Sequence, residues 1–227
     1  MIEISLPKLI SARVHFGFKK NQWNPKIRPY LFLEYHGLHI IDLVYTQKAL
    51  MYSFIYIREA AKKGSQFLFI GTKKEASEII AEEATKCGTH FVNHRWVGGT
   101  LTNWFTMKNR VSHLKKLKKK EKRGELKTLP KKDAVVLRRK RYKLEKSLGG
   151  LINMLKIPDI VIVVDPKQEA TAIAECKKLG IKIFSILDTN CDPDPTLVGV
   201  PIPGNTASKG SLKCMLSVFT EAICKGN

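Results

Sequence analysis

"QFLFIGTKKEASEIIAEEA", Gln66 to Ala84, decides the fold class of this chain. Its first part is a short, continuous apolar run closed by Gly71, the pattern of a strand buried on both faces. Its second part has helical spacing, and Thr72 with Glu75 predicts a capping box at the helix start. Strand, turn and helix recur at "DIVIVVD", Asp159 to Asp165, where Asp165 is expected to cap the next helix, with Pro166 at its first position and Gln168 closing a second box. A third such strand is "IKIFSILD", Ile181 to Asp188. Upstream, "YLFLEYHGLHIIDL" predicts a hairpin around Gly37, then a helix from about Thr46 to Lys63; a last helix is expected over about Ser208 to Cys224. Apolar strands alternating with helices give an α/β class, a parallel sheet with helices on both faces.

The composition says what such a core is for. The 227 residues are 44% hydrophobic, enough for one good core and at most a small second unit. Against 20 Asp and Glu stand 40 Lys and Arg, a net charge of +20. An excess of this size opposes compactness by self-repulsion and points to a polyanionic partner, nucleic acid before a membrane surface. No apolar run is long enough to span a bilayer and no signal peptide is evident, so a soluble protein is expected. Cys87, Cys176, Cys191, Cys214 and Cys224 are scattered with no C-x-x-C pair, predicting reduced thiols rather than a disulfide framework or zinc site. The six histidines give no metal-ligand pattern, and no metal or other cofactor is expected.

The charge is concentrated. Lys108 to Lys146 holds 18 Lys or Arg and four acids, +14 in 39 residues, leaving +6 for the other 188. Met107, Val111 and Leu114 fall at i, i+4, i+7, and Leu137, Leu144, Leu148 and Leu151 continue an apolar stripe after a break containing Gly124 and Pro130. Two helices are predicted, about 103–122 and 131–149, folded into an antiparallel, coiled-coil-like hairpin with a narrow seam that Arg141 interrupts. The domain reading is therefore a discontinuous core, 1–102 and 152–227, beginning with a basic segment 1–30, and an inserted basic arm, 103–151. On the arm, Lys108, Arg110, Lys115, Lys116, Lys119, Arg123, Lys131, Arg138 and Arg139 are the candidate phosphate contacts.

Where the core hands over to the arm lies "NHRWVGGTLTNW", Asn93 to Trp104. Gly98 and Gly99 predict a sharp turn, and Thr102 or Asn103 is expected to cap the arm's first helix. Arg95, Trp96 and Asn103 are candidate RNA contacts, with packing at the arm's base the competing role for Arg95 and Trp96. A second candidate region is "HFGFKKNQWNPKIR", His15 to Arg28, where Lys19, Lys20, Lys26 and Arg28 surround Trp23. Cations interleaved with an aromatic suit RNA backbone and base surfaces, and a surface loop whose Trp23 packs on the core is the competing reading. Lys73 and Lys74, at a helix start, are candidate RNA contacts placed to hold an anion, with solvated surface lysines the competing reading.

Enzyme motifs fail. The turn after "QFLFIG" has neither G-x-G-x-x-G nor G-x-x-x-x-G-K-[ST], so no phosphate loop is expected. "DTNCDPD", Asp188 to Asp194, puts Pro193 and Gly199 where a calcium loop needs glycine and glutamate, and reads as a turn. No nucleophile–base arrangement is visible, so neither catalysis nor a small-molecule substrate is expected.

Six collinear segments carry a resemblance. "VHFGFKKNQWNPKIRPY", "GLHIIDL", "FLFIGTKKEA", "RWVGGTLTNW", "LGGLINMLKIPDIVIVVD" and "LGIKIFSILDTNCDPD" are similar, in this order, to the signature segments of the small-subunit ribosomal protein two family in its bacterial and organellar form. The resemblance covers nearly the whole chain. It implies a structural protein of the small subunit that binds small-subunit rRNA near the junction of head and body, beside other ribosomal proteins including ribosomal protein one. "TNW", "LPKKDAVVL", "PDIVIVVD" and "AICKG" look plastid-like, and the lack of a transit segment suggests an organellar gene, with bacterial cytoplasm or mitochondrion as alternatives. Two places depart from the family pattern. Phe18 stands where a histidine is usual, and "GNTASKGS", Gly204 to Ser211, replaces a usual Asn-Asp-Asp-Ala. The competing functions are a free RNA-binding chaperone, which explains the charge alone, and a nucleotide-using enzyme, which lacks its motifs.

Overall fold

The computed structural model describes residues 4–125 and 130–226. In chain order the helices are α1 (Leu6–Ser11), α2 (Leu43–Lys62), α3 (Lys74–Lys86), α4 (Trp104–Lys122), α5 (Lys131–Leu148), α6 (Ala170–Lys178), α7 (Pro195–Val198) and α8 (Lys209–Gly226). The strands are β1 (Phe16–Lys19), β2 (Leu31–Tyr35), β3 (Leu38–Ile41), β4 (Phe67–Ile70), β5 (His90–Val92), β6 (Ile160–Val164), β7 (Lys182–Leu187) and β8 (Val200–Pro203). The last five form one parallel sheet in the order β5-β4-β6-β7-β8, and the first three a separate antiparallel sheet, β1-β3-β2.

Period two along the central strands sorts the core into two layers. Phe67 and Phe69 of β4, with Ile160, Ile162 and Val164 of β6, face one cluster that also holds Leu50, Ile57, Leu212, Met215 and Phe219 from α2 and α8. Leu68, Ile70, Val161 and Val163 face the other, built from α6, the root of α4 and the segment Leu148 to Met154. This double coverage is why these strands have no polar side, and each such side chain contributes about 1.5–3 kcal/mol of hydrophobic stabilisation.

Several helix starts differ from the sequence expectation. The helix α2 begins at Leu43, because Asp42 accepts the Val44 N–H, while Thr46 sits one turn inside and donates to the Pro203 carbonyl at 2.8 Å. Neither capping box forms. Lys73 occupies the cap position of α3, and the Thr72 side chain turns instead to Glu169. Residues 166–169 are turn, α6 starts at Ala170, and Asp165 (φ 59°) faces Lys73. Asn103 caps α4 by position only, without a side-chain bond, and the other expected cap, Thr102, is committed to Glu175.

The helices α4 and α5 leave the sheet between β5 and β6 and pack on each other. Lys118 pairs with Glu145 at 2.7 Å and Glu121 with Arg141 at 2.7 Å, so one number rises as the other falls and the helices run antiparallel. Met107, Val111, Leu114 and Leu117 are buried from α4, with Ala134 and Leu148 from α5, while Leu137 and Leu144 are half-buried. The expected flaw in the seam is a polar clasp, since Arg141 reaches Glu121 across the hairpin and Glu145 on its own helix. At the hairpin's foot Gly150 lies against β5, where an added Cβ would stand 2.1 Å from the Phe91 carbonyl.

Candidate nucleic-acid interface

The junction at Asn93 to Trp104 is organised by a residue far away in sequence, Glu175 on α6. One carboxylate oxygen accepts from the Trp96 indole N–H and the Gly99 N–H, both at 2.8 Å. The other accepts from Leu101 N–H at 2.9 Å, Thr102 N–H at 3.0 Å and the Thr102 hydroxyl at 3.1 Å. Gly99 has φ 83°, a conformation that a β-branched residue adopts only with strain, and this bend lets three amides converge on one carboxylate. Burial alone works toward the protonated form of Glu175, but the donors from Thr102, Trp96, Leu101 and Gly99 hold its carboxyl below the usual range. The anion gripped at this turn is thus the protein's own. Trp96 is correspondingly buried, so its expected stacking on RNA gives way to a packing role. Arg95, beside it, is exposed.

A second internal charge cluster lies at the C-terminal end of the sheet, beside the switch point between β4 and β6 where α/β folds of this order hold ligands. Here the loop donors are already used. Glu169 accepts Thr72 N–H at 2.7 Å and its hydroxyl at 2.6 Å. Lys73 is mostly buried, pairs with Asp165 at 3.3 Å and donates to the Thr206 hydroxyl at 2.9 Å, with its ammonium 5.6 Å from the centre of the Phe18 ring. Lys73 is therefore an internal counter-ion, neither a free anion grip nor a solvated lysine; Lys74 is exposed. Phe18, through its ring, and the Gly204 segment, through Thr206, meet at this one lysine. Asp188 takes Thr206 N–H and Thr189 N–H, each at 2.8 Å, and burial pushes its carboxyl up to about 6. The loop that superficially resembled a calcium site is similarly spoken for, with Asp194 capping α7 through Thr196 and Asp192 paired with Lys26.

In the N-terminal segment, Asn24 N–H donates to the Thr189 carbonyl at 2.8 Å, tying the segment to the end of β7. Trp23 is half-buried, its ring 4.5 Å from that of His39 and packed beside Ile27, Leu187, Cys191 and Val198. The indole that was expected to meet RNA is engaged with protein. Lys20 pairs with Glu34 at 3.1 Å and Lys26 with Asp192 at 2.6 Å, whereas Lys19 and Arg28 are exposed with no ion-pair partner among the described residues.

The arm is different. Lys108, Arg110, Lys115, Lys116, Lys119, Arg138 and Arg139 are all exposed and have no ion-pair partner among the described residues. Arg123 reaches Glu125 at 3.7 Å, and Asn103 is exposed at the root. Lys131 begins α5, but its side chain lies outside the described residues. The seam fixes which faces of α4 and α5 point outward, and the outward faces are cationic. A phosphate backbone would meet these charges without first breaking an ion pair. Residues missed by the sequence reading are Glu175, whose role depends on a contact 73 to 79 positions away, and Tyr142, which stands exposed near the root. An acid on a helix and a tyrosine in a basic run carry no signal of their own.

Comparison with known proteins places the chain by sequence along almost its whole length. The profile of the family described as Ribosomal protein S2 matches residues 9–226. The chain is 51% identical over 226 residues to the small ribosomal subunit protein uS2c of Emiliania huxleyi, covering 100% of this chain and 98% of that one. It is 48% identical over 227 residues to the uS2c of Rhodomonas salina, covering 100% and 93%. With the small ribosomal subunit protein uS2 of Synechococcus sp. (strain JA-3-3Ab) it shares 51% over 226 residues, covering 100% and 84%.

Proposed function

Because this chain belongs to the ribosomal protein S2 family, we propose that its outward-facing arm grips small-subunit rRNA while its sheet domain serves as a rigid mount. The protein is a structural constituent of the small ribosomal subunit, not an enzyme, and its partners are rRNA and other ribosomal proteins. The observation that carries the reading is the row of exposed cations on α4 and α5 that have no ion-pair partner among the described residues, set against a core whose buried charges are internally matched. The arm, 103–151, and the core, 1–102 with 152–227, act as separate functional units, the first supplying phosphate neutralisation and the second direction. Lys19 and Arg28 extend the contact from the core side. The relatives are uS2c proteins and cyanobacterial uS2 proteins, which favours a plastid ribosome in the chloroplast stroma as the working place. Among neighbouring proteins, ribosomal protein one is the proposed partner, on the strength of the family resemblance. Sedimentation of the tagged chain in magnesium-containing gradients tests the assignment: it should travel with small subunits and with the whole ribosomes that contain them, and not with free large subunits. A chain that stays at the top of the gradient would sink it.

A further inference from the structure

The root of the arm carries a cleft that a simple phosphate-neutralising rod does not need. It lies between the turn at His94 and Arg95 and the last turns of α5, has a volume of about 560 Å³, and is lined by His94, Arg95, Tyr142, Lys143, Lys146 and Ser147. Three of the six are formal cations and none is acidic. Tyr142 is 62% exposed and belongs to none of the three buried clusters, so packing does not account for a large aromatic there. A second recess of about 510 Å³ shares His94, Tyr142 and Lys146, so the tyrosine ring borders open space in both. The nearby Glu145 carboxylate, which lines that second recess, is held by Lys118 and Arg141.

We infer that this cleft receives one unstacked nucleotide of the rRNA, its base against Tyr142 and its phosphate against Arg95, Lys143 and Lys146. The inference rests on the RNA-binding reading above and adds a site to it. Stacking on an aromatic ring suits any base, because every base presents a π-face, and a guanidinium offers a phosphate two parallel donors. Arg95 is presented by the locked turn, since its neighbour Trp96 is fixed through Glu175. Lys143 and Lys146 stand three positions apart, on the same side of α5. Ser147 takes no part, because its hydroxyl is directed to the Lys143 carbonyl of its own helix at 3.1 Å.

The test uses the full chain bound to a small-subunit rRNA transcript, with ultraviolet crosslinking read by mass spectrometry and affinities measured across a salt series. A crosslink between Tyr142 and a single nucleotide is expected. Tyr142→Leu should weaken binding by about 5- to 150-fold, the range for losing one stacked base, with no change in the salt slope. Tyr142→Phe, which keeps the ring, should bind like the unaltered chain. Arg95→Gln should lower the slope by about 0.7–0.9, one phosphate. Tyr142 is exposed, so neither of its substitutions threatens the fold, and circular dichroism verifies this. Unaltered affinity in Tyr142→Leu overturns the proposal even if Arg95→Gln lowers the slope, for then the cleft holds phosphate without a base. A Tyr142 crosslink to peptide within assembled subunits, with none to RNA, also overturns it in favour of a protein partner. These failures leave the RNA-binding reading standing; that reading fails only if reversing the arm's charges is silent as well.

Discussion

The core and the arm use charge in opposite ways. In the core, Lys73, Asp165, Glu169, Glu175 and Asp188 are nearly withdrawn from solvent and each is matched by protein donors or counter-ions. In the arm, cation follows cation on exposed helix faces, and two of its four acids, Glu121 and Glu145, serve to hold α4 against α5. A buried charge left unmatched costs several kcal/mol, so the core's pattern is imposed by folding. Nothing in folding requires the arm's pattern, whose self-repulsion opposes it. The difference separates charge that builds the protein from charge that meets a partner.

The comparison breaks most severely if Glu175 is not a structural anion. Glu175→Leu should lower stability by about 3–5 kcal/mol, because several donors of the 96–102 turn lose their acceptor at about 1–3 kcal/mol for each one left buried. Chemical denaturation measures this, and a loss below about 1 kcal/mol would contradict the clasp. Next in size is the arm. Reversing Lys115, Lys116, Lys119, Arg138 and Arg139 to Glu should leave circular dichroism unchanged and weaken rRNA binding by about a hundredfold or more in moderate salt. If about six cations touch phosphates, the slope of log K against log salt is roughly −4 to −5 in the unaltered chain and flatter in the variant. Equal slopes and affinities would reduce the arm's charge to a solubilising coat.

How much of this was legible in the sequence follows the same division. Three of the five parallel strands, β4, β6 and β7, the hairpin at Gly37 and the two arm helices were readable because each rests on local periodicity or turn chemistry, whereas the short edge strands β5 and β8 were not; the predicted arm spans differ from the observed ones by a residue at α4's start and at α5's end. The cations of the arm were readable as exposed for the same reason: the seam residues Met107, Val111 and Leu114 fix the helix phase. What local signals did not show was where side chains captured over a long distance would end. Thr72 and Thr102 have the residue type of caps, but Glu169 and Glu175 outcompete the local backbone for their hydroxyls. Trp96 and Trp23 stand in basic, polar surroundings, yet one indole is pinned by Glu175 and the other packs on His39. Lys73 looks like a surface cation until Asp165 and Thr206 arrive from two other loops.

A smaller effect sharpens the link between the two regions. Gly99→Val should cost about 1–3 kcal/mol through backbone strain at φ 83°, with little steric contribution, because the nearest neighbour of an added Cβ is Asn103 Cβ at 3.5 Å. Since α4 begins five residues later, the same change should mispoint the arm and reduce entry into subunits beyond what the stability loss explains. Incorporation equal to that of the unaltered chain, in a soluble variant, would show that the turn does not aim the arm.

The smallest expected effect concerns the sign of the core's pH dependence. Asp188 is pushed up to about 6 in the folded protein, chiefly by burial, against an ordinary value of 3.8. The folded state therefore holds this proton more tightly than the unfolded chain does. The stabilisation from protonating Asp188 is fully present below the unfolded value and is lost as pH rises through the window from about 4 to about 6, at about 1 kcal/mol per pH unit where steepest. Glu175 runs the other way, since its carboxyl is held below the ordinary range and its contribution disappears as pH falls. Asp188→Asn removes the titration but also places an NH₂ group where one oxygen accepted an N–H, giving a loss that does not vary with pH. The informative quantity is thus the difference in stability between Asp188→Asn and the unaltered chain, followed from pH 4 to 7. It should shift in favour of the variant up to about pH 6 and then level off. A difference that stays flat would mean that Lys73, with Thr206 and Thr189, already keeps Asp188 ionised throughout, placing this carboxylate with Glu175 among the permanent internal anions.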